Sequence, residues 1–233
     1  MRDNKAVPAL IKEQFKWTLW FLGILYLIRI AAHFFEMFFS EAEFNIALLN
    51  FAYEPSKIYM LVIGLISVYT FLGFCIEHGL TRKHYYQAAF ISAAAVSLII
   101  TVAIAALNLI DTIIFDTNAA VFYLIESDTL LEVLLPGSAA YFITVLLYYL
   151  LGMFVASGFY RFGWLPGLGF IAAGLFCLLI ESIIWGTAFT LFNVGIVTEG
   201  LPVVAAISAT AVLTIIVYLS SAKSLQRTPV KIA

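Results

Sequence analysis

Residues 88–110 read AAFISAAAVSLIITVAIAALNLI and contain no Asp, Glu, Lys, Arg or His. Wound as a helix at ~1.5 Å per residue, this run reaches ~34 Å, enough to cross the ~30 Å hydrocarbon core of a bilayer. Comparable runs recur along the chain. The whole sequence is 64% hydrophobic and 11% charged, with a mean hydropathy of +1.04. A soluble domain carries ~25% charged residues, so the composition excludes an ordinary soluble protein. The fold class expected is all-α: a polytopic membrane protein of six helices.

The six spans are placed at about 17–39, 58–76, 88–110, 138–158, 164–185 and 201–219, the fifth with a possible extension to Phe192. Lipid offers no partner for backbone polar groups, so each span must satisfy its own, and a helix does so. The runs are too continuous for the alternating strands of a membrane barrel. The start, MRDNKAVPALIKEQFKWTLWF, has no short apolar core followed by a small-residue cleavage site. The organisation expected is a cytoplasmic tail or amphipathic helix over 1–16, a transmembrane domain over 17–219 and a cytoplasmic tail over 220–233. Within the first part, Leu10, Ile11 and Phe15 alternate with Lys12, Glu13 and Lys16 in a way that suits a helix lying on the membrane surface.

Charge sorts the loops. Arg2, Lys5, Lys12, Lys16, Arg82, Lys83, Arg161, Lys223, Arg227 and Lys231 fall on one side. The other side has Lys57 against Glu41, Glu43, Glu54, Asp111, Asp116, Glu126, Asp128, Glu132 and Glu199. Basic loops stay cytoplasmic, which puts both termini inside a cell membrane, with a bacterial plasma membrane the expected location. Trp17, Trp20 and Trp164 lie near cytoplasmic ends, as interfacial anchors do. The longest connection, residues 111–137, is outside and lacks Lys and Arg.

Several polar residues interrupt the apolar runs. Arg29, His33 and Glu36 in YLIRIAAHFFEMFF share one face of span one by their spacing of four and three. Glu181 in CLLIESIIWG lies at a similar depth in span five, so an Arg29–Glu181 contact is geometrically open. Ionised groups in hydrocarbon need a partner or a polar cavity. These four residues therefore either fix helix packing or line a polar path. Cys75 and Cys177 read as small buried residues. Gly163 and Gly167 form a GxxxG, followed by Gly169 and Gly174, which permits close helix approach. No HExxH, CxxC, GxSxG or GxxxxGKS/T occurs. No metal, catalytic or cofactor-binding residue is assigned, and an enzyme is not expected.

One polar stretch carries more. Between spans two and three, GLTRKHYYQ (79–87) gathers a glycine, a helix-capping threonine, two basic residues and two tyrosines. With six spans and a cytoplasmic N-terminus, GLTRKHYY resembles the corresponding segment of ABC-2 type transporter permeases, in particular small six-span bacterial members. FYRFGWLPGLGF (159–170) resembles their link between spans four and five. The resemblance implies two permease subunits, identical or homologous, each engaging a cytoplasmic ABC ATPase that binds ATP and Mg. It further implies that the loop after span two rests in a groove of that ATPase. Gly79 would open the turn, Thr81 cap the next helix, Arg82 and Lys83 meet the partner or lipid phosphates, and Tyr85 and Tyr86 anchor the return into span three. The function implied is coupling ATP hydrolysis in a separate subunit to movement of a substrate. A membrane scaffold or sensor, or a proton-coupled secondary transporter, is the alternative. Membrane lipids are expected partners and nucleic acid is not. The departure from larger family members is the short segment 193–200, with the bulk placed between spans three and four instead. Cysteine-accessibility mapping should place residues 79–87 and 111–137 on opposite faces of the membrane; labelling of 111–137 from inside the cell would reverse the orientation.

Overall fold

A computed structural model of the chain describes residues 6–39, 47–77, 79, 81–115, 130–187, 189–191, 194–196 and 199–226. Among the described residues six helices are long and apolar enough to cross a membrane. They are α1 (Ala6–Phe39), α2 (Leu48–Glu77), α3 (Arg82–Phe115), α4 (Leu130–Phe162), α5 (Trp164–Trp185) and α6 (Val203–Gln226). A short antiparallel hairpin, β1 (Phe189–Leu191) with β2 (Val194–Ile196), lies between α5 and α6, pairing Phe189 with Ile196 and Leu191 with Val194. The chain is an all-α, multi-pass membrane protein. Below, the turn side is the face carrying the α2–α3 turn, and the far side is the opposite one.

Most helices run past the ends set by hydropathy. The first is continuous from Ala6, so residues 6–16 form the start of α1 and not a separate surface helix. Leu10 and Gln14 are buried against the bundle, which holds this segment upright. The second begins at Leu48, ten residues before the expected boundary, because Lys57 turns inward. Pro55 removes a donor from the α2 ladder. One position on from the carbonyl it deprives, the Tyr141 hydroxyl donates to Ala52 O (3.0 Å) and to Ser56 Oγ (2.8 Å). Both ends of the expected outer loop are helical too: 111–115 belongs to α3 and 130–137 to α4. Residues 116–129 lie outside the described residues. Helix α5 keeps its expected bounds and does not continue to Phe192. Gly186 takes a left-handed conformation (φ 66°), with Gly186 N–H bonded to Ile183 O and Thr187 N–H to Ser182 O, a Schellman closure.

Contact registers show how the spans lie together. Tyr141 meets Ser56 and Tyr149 meets Ser67, a nearly constant offset, so α2 and α4 run parallel. Gln14 meets Ser92 and Arg29 meets Asp111, so α1 and α3 also run parallel. Parallel packing of alternate helices is what successive crossings require. Helix α4 is central: 67% of its most apolar window is buried, against 22–39% in the other five. Trp20 and Trp164 stay highly exposed near the turn side, where interfacial anchors belong.

Small residues set the closest approach. A methyl group on Gly64 would overlap the Tyr149 carbonyl, and one on Gly152 would overlap the Leu61 carbonyl, so the α2 and α4 backbones touch. Between α4 and α5, Phe170 fills the space over Gly158 and Phe159 the space over Gly167. Of the expected GxxxG, only Gly167 packs this way; Gly163 is the left-handed joint (φ 85°) between α4 and α5, with open space around it. Hydroxyls elsewhere are absorbed within their own helices, as with Thr101 to Ser97 O and Thr214 to Thr210 O. Lipid gives no hydrophobic drive to helix association, so such close fits carry much of the packing energy. Gly64→Ala or Gly152→Ala should lower stability by ~1–3 kcal/mol, the usual range for overpacking. Thermal unfolding in detergent checks this, with Gly23→Ala, which meets no neighbouring atom, causing no fall in melting temperature.

Candidate functional site

The α2–α3 turn is built from its glycine outward. Gly79 takes φ 78°, a left-handed conformation that a side chain would strain, and its N–H bonds to Ile76 O (2.9 Å) to end α2. Thr81 then caps α3. Its hydroxyl accepts the His84 N–H (3.3 Å) and lies 2.8 Å from His84 Nδ1. Gly79, Thr81, Lys83 and His84 are exposed and Arg82 is half-buried. Thr81, Arg82, Lys83 and His84 therefore present a compact basic surface at the start of α3.

Tyr85 and Tyr86 point the other way. Both are buried. The Tyr86 hydroxyl donates to the Tyr218 carbonyl of α6, with the two rings 4.9 Å apart. The Tyr85 hydroxyl donates to the Ser67 carbonyl of α2 (2.9 Å). With that proton committed, the Ser67 hydroxyl donates to Tyr85 (3.2 Å) and accepts from Tyr149 of α4 (3.1 Å). Tyr149 in turn accepts from Gln14 Nε2 of α1 (2.8 Å), and Gln14 Oε1 accepts from Ser92 of α3 (2.8 Å). The two tyrosines after the basic pair thus tie the turn to all the helices around it except α5. The sequence signalled their interfacial character but not this chain of hydroxyls, because Gln14, Ser67 and Ser92 are spread over three spans.

A second polar cluster sits toward the far side. Arg29 of α1 is 1% exposed and holds Asp111 of α3 through Nη2 (3.0 Å) and Nε (3.2 Å) to Oδ2. His33 Nε2 lies 3.3 Å from Asp111 Oδ1, and its ring stacks on Phe115 at 4.0 Å. One turn earlier on α3, Asn108 Oδ1 accepts the Leu49 N–H at the start of α2 (3.2 Å). The cluster joins Arg29 and His33 as their spacing implied. Its carboxylate is Asp111, which hydropathy had placed in the outer loop. The side chain of Glu36 lies outside the described residues.

Glu181 is not the partner of Arg29. Helix α1 packs on α2 and α3, whereas α5 packs on α4 and α6, which separates the two residues. Glu181 is buried and lies instead within electrostatic reach of Lys57 and Glu54 of α2 and of Tyr148 of α4. Lys57 is 6% exposed. Its ammonium lies 2.5 Å from Glu54 Oε1 and stands over the rings of Tyr53 (4.6 Å) and Tyr148 (5.3 Å). The signal for Lys57 was present in the sequence: it is the lone basic residue among the far-side loops. Among the described residues no group of three His, Cys, Asp or Glu side chains could hold a metal ion.

Protein-family models, characterised proteins and solved structures yield no match to the chain.

Removing one partner of a buried ion pair strands a charge in a low-dielectric interior, a loss of ~3–5 kcal/mol. Arg29→Met or Asp111→Leu alone should each show it, and the double variant should unfold closer to wild type than either. In a double-mutant cycle read by thermal unfolding, Arg29 and Asp111 should couple strongly while Arg29 and Glu181 add independently.

Proposed function

We propose that this chain is the membrane-spanning permease subunit of an ATP-binding cassette transporter, moving a substrate at the expense of ATP hydrolysed by a separate cytoplasmic subunit. One observation carries the reading. An exposed, capped, basic turn is joined without any flexible linker to two buried tyrosines that bond to α2 and α6. A surface meant only to balance the charge of a loop has no need of that connection. A surface that receives force does.

In this reading the turn side is cytoplasmic. Arg82 and Lys83 meet acidic groups on the ATPase, and Thr81 and Gly79 keep the loop stiff enough to move as a unit. Displacement of the turn draws on Tyr85 and hence on Ser67 and Tyr149, so α2 and α4 shift together. It draws on Tyr86 and hence on α6. A second permease subunit would complete the route between the two membrane halves. ATP and Mg are held by the partner. The ABC-2 type resemblance of GLTRKHYY and FYRFGWLPGLGF supports the assignment.

Affinity purification from solubilised membranes of the source organism should recover an ATP-hydrolysing subunit. Arg82→Glu with Lys83→Glu should lower that recovery at least ~10-fold, equivalent to ~1.4 kcal/mol of binding. Tyr85→Phe keeps the exposed surface and removes one hydroxyl. It should leave recovery unchanged and reduce ATP-driven transport. Undiminished complex formation and transport in the charge-reversed variant would instead favour a scaffold or sensor that does not use this turn.

A further inference from the structure

The surroundings of Lys57 form a site whose occupant is part of the protein. The ammonium is nearly sealed from solvent, between the faces of Tyr53 and Tyr148 and against Glu54. Glu181 of α5, itself buried, lies within electrostatic reach of the ammonium. Two ring faces and a carboxylate in contact with one N–H-rich cation, with a second carboxyl group in electrostatic reach, are the elements that bind an ammonium ion wherever it comes from. The walls are fixed independently of Lys57. Tyr53 packs edge-on against Tyr141 at 5.4 Å, and Tyr141 is hydrogen-bonded to Ser56. The site also has a mouth, since the side chain of Glu54 is 63% exposed while that of Lys57 is 8% exposed. Its depth is two and a half turns from the start of α2, or ~14 Å along the helix axis.

Two features are unexplained if Lys57 is only a packing residue. A lysine on the far side runs against the charge bias of the chain. A single intrahelical pair with Glu54 would also leave no role for a second, buried carboxyl group on a helix that otherwise packs on α4 and α6. We infer that the Tyr53–Tyr148–Glu54 cage, with Glu181 in electrostatic reach, is a binding site for a primary ammonium group, which Lys57 occupies as a tethered stand-in. An incoming ammonium replaces it by displacing the side chain toward the open mouth. Lysine side chains and peptide amino termini carry this chemistry, as do ethanolamine headgroups of lipids. A role for the site in cargo recognition rests on the permease reading; the existence of the site does not.

Chemical rescue tests it without any ATPase present. Lys57→Ala empties the cage, and n-propylammonium replaces the atoms removed. In phosphatidylcholine nanodiscs, Lys57→Ala should melt several degrees below wild type, and n-propylammonium should restore most of the loss in a saturable manner. Neither n-propanol nor sodium chloride at equal ionic strength should do so. Adding Glu181→Gln to Lys57→Ala should weaken the rescue at least ~10-fold in half-saturating concentration, ~1.4 kcal/mol. Equal rescue by n-propanol or salt, rescue indifferent to Glu181→Gln, or no rescue would overturn the assignment. If Lys57→Ala does not accumulate folded, purification with n-propylammonium throughout is the same test. Recovery of folded protein by the amine and not the alcohol supports the site, and no recovery overturns it. With the cage demonstrated, rescue by a lysine-containing peptide in phosphatidylcholine points to cargo, and rescue by phosphatidylethanolamine in the nanodisc points to lipid. Failure of the ATPase to co-purify would leave these results untouched.

Discussion

The contact of Gly64 with Gly152 sets the distance between α2 and α4, and the rest of the bundle is arranged around that distance. Because neither residue has a Cβ, the backbones meet at the carbonyls of Tyr149 and Leu61. Two α4 tyrosines can then reach α2 on either side of Gly64: Tyr149 to Ser67 toward the turn side, Tyr141 to Ser56 and Ala52 toward the far side. A wider separation would leave those hydroxyls short of their partners in a medium that supplies no water. The same two tyrosines organise both polar regions. Tyr149 continues into the network behind the turn, and Tyr141 braces Tyr53 in the cage around Lys57.

Energy in such a bundle is distributed differently from that in a soluble core. Apolar side chains gain little by leaving lipid for one another, so specificity falls to close packing and to the few polar groups that must find partners. Three polar groupings divide the work. The hydroxyl network of Gln14, Ser67, Tyr85, Ser92 and Tyr149 joins α1 to α4 at the turn side. Arg29, His33 and Asp111 join α1 to α3 toward the far side, and Asn108 joins α3 to α2 nearby. The Lys57 cluster spans α2, α4 and α5. Each grouping crosses between helices distant in sequence, which fixes one arrangement of spans among the many that apolar matching alone would allow.

What could be read from the sequence follows from how local the controlling physics is. The number of spans, both bounds of α5 and the capping of α3 by Thr81 depend on windows of a few residues, and they are as expected. Asp111 was misplaced because a carboxylate at the end of an apolar run looks like the start of a loop; only its burial against Arg29 on another helix makes it part of the span. Lys57 was misplaced for the same reason. Matching depth left an Arg29–Glu181 contact open. Depth is legible in one dimension, whereas which helices are neighbours is not. Gly64 and Gly152 belong to no spaced glycine motif, and a single glycine in an apolar run carries no mark of what it faces.

The hydroxyls of α6 have a mechanical consequence. Ser208, Thr210 and Thr214 each spend their proton on a carbonyl one turn back in their own helix. Among the described residues, the side-chain hydrogen bonds that join α6 to its neighbours, from Tyr86 to the Tyr218 carbonyl and from Arg161 to the Ser224 carbonyl, lie in its last turns. At its other end Leu201 N–H, just before the helix, bonds to the Ile184 carbonyl of α5 (2.9 Å), and between the two ends α6 lies packed along α4. A helix held at both ends turns about its own axis more readily than it swings away from its neighbour.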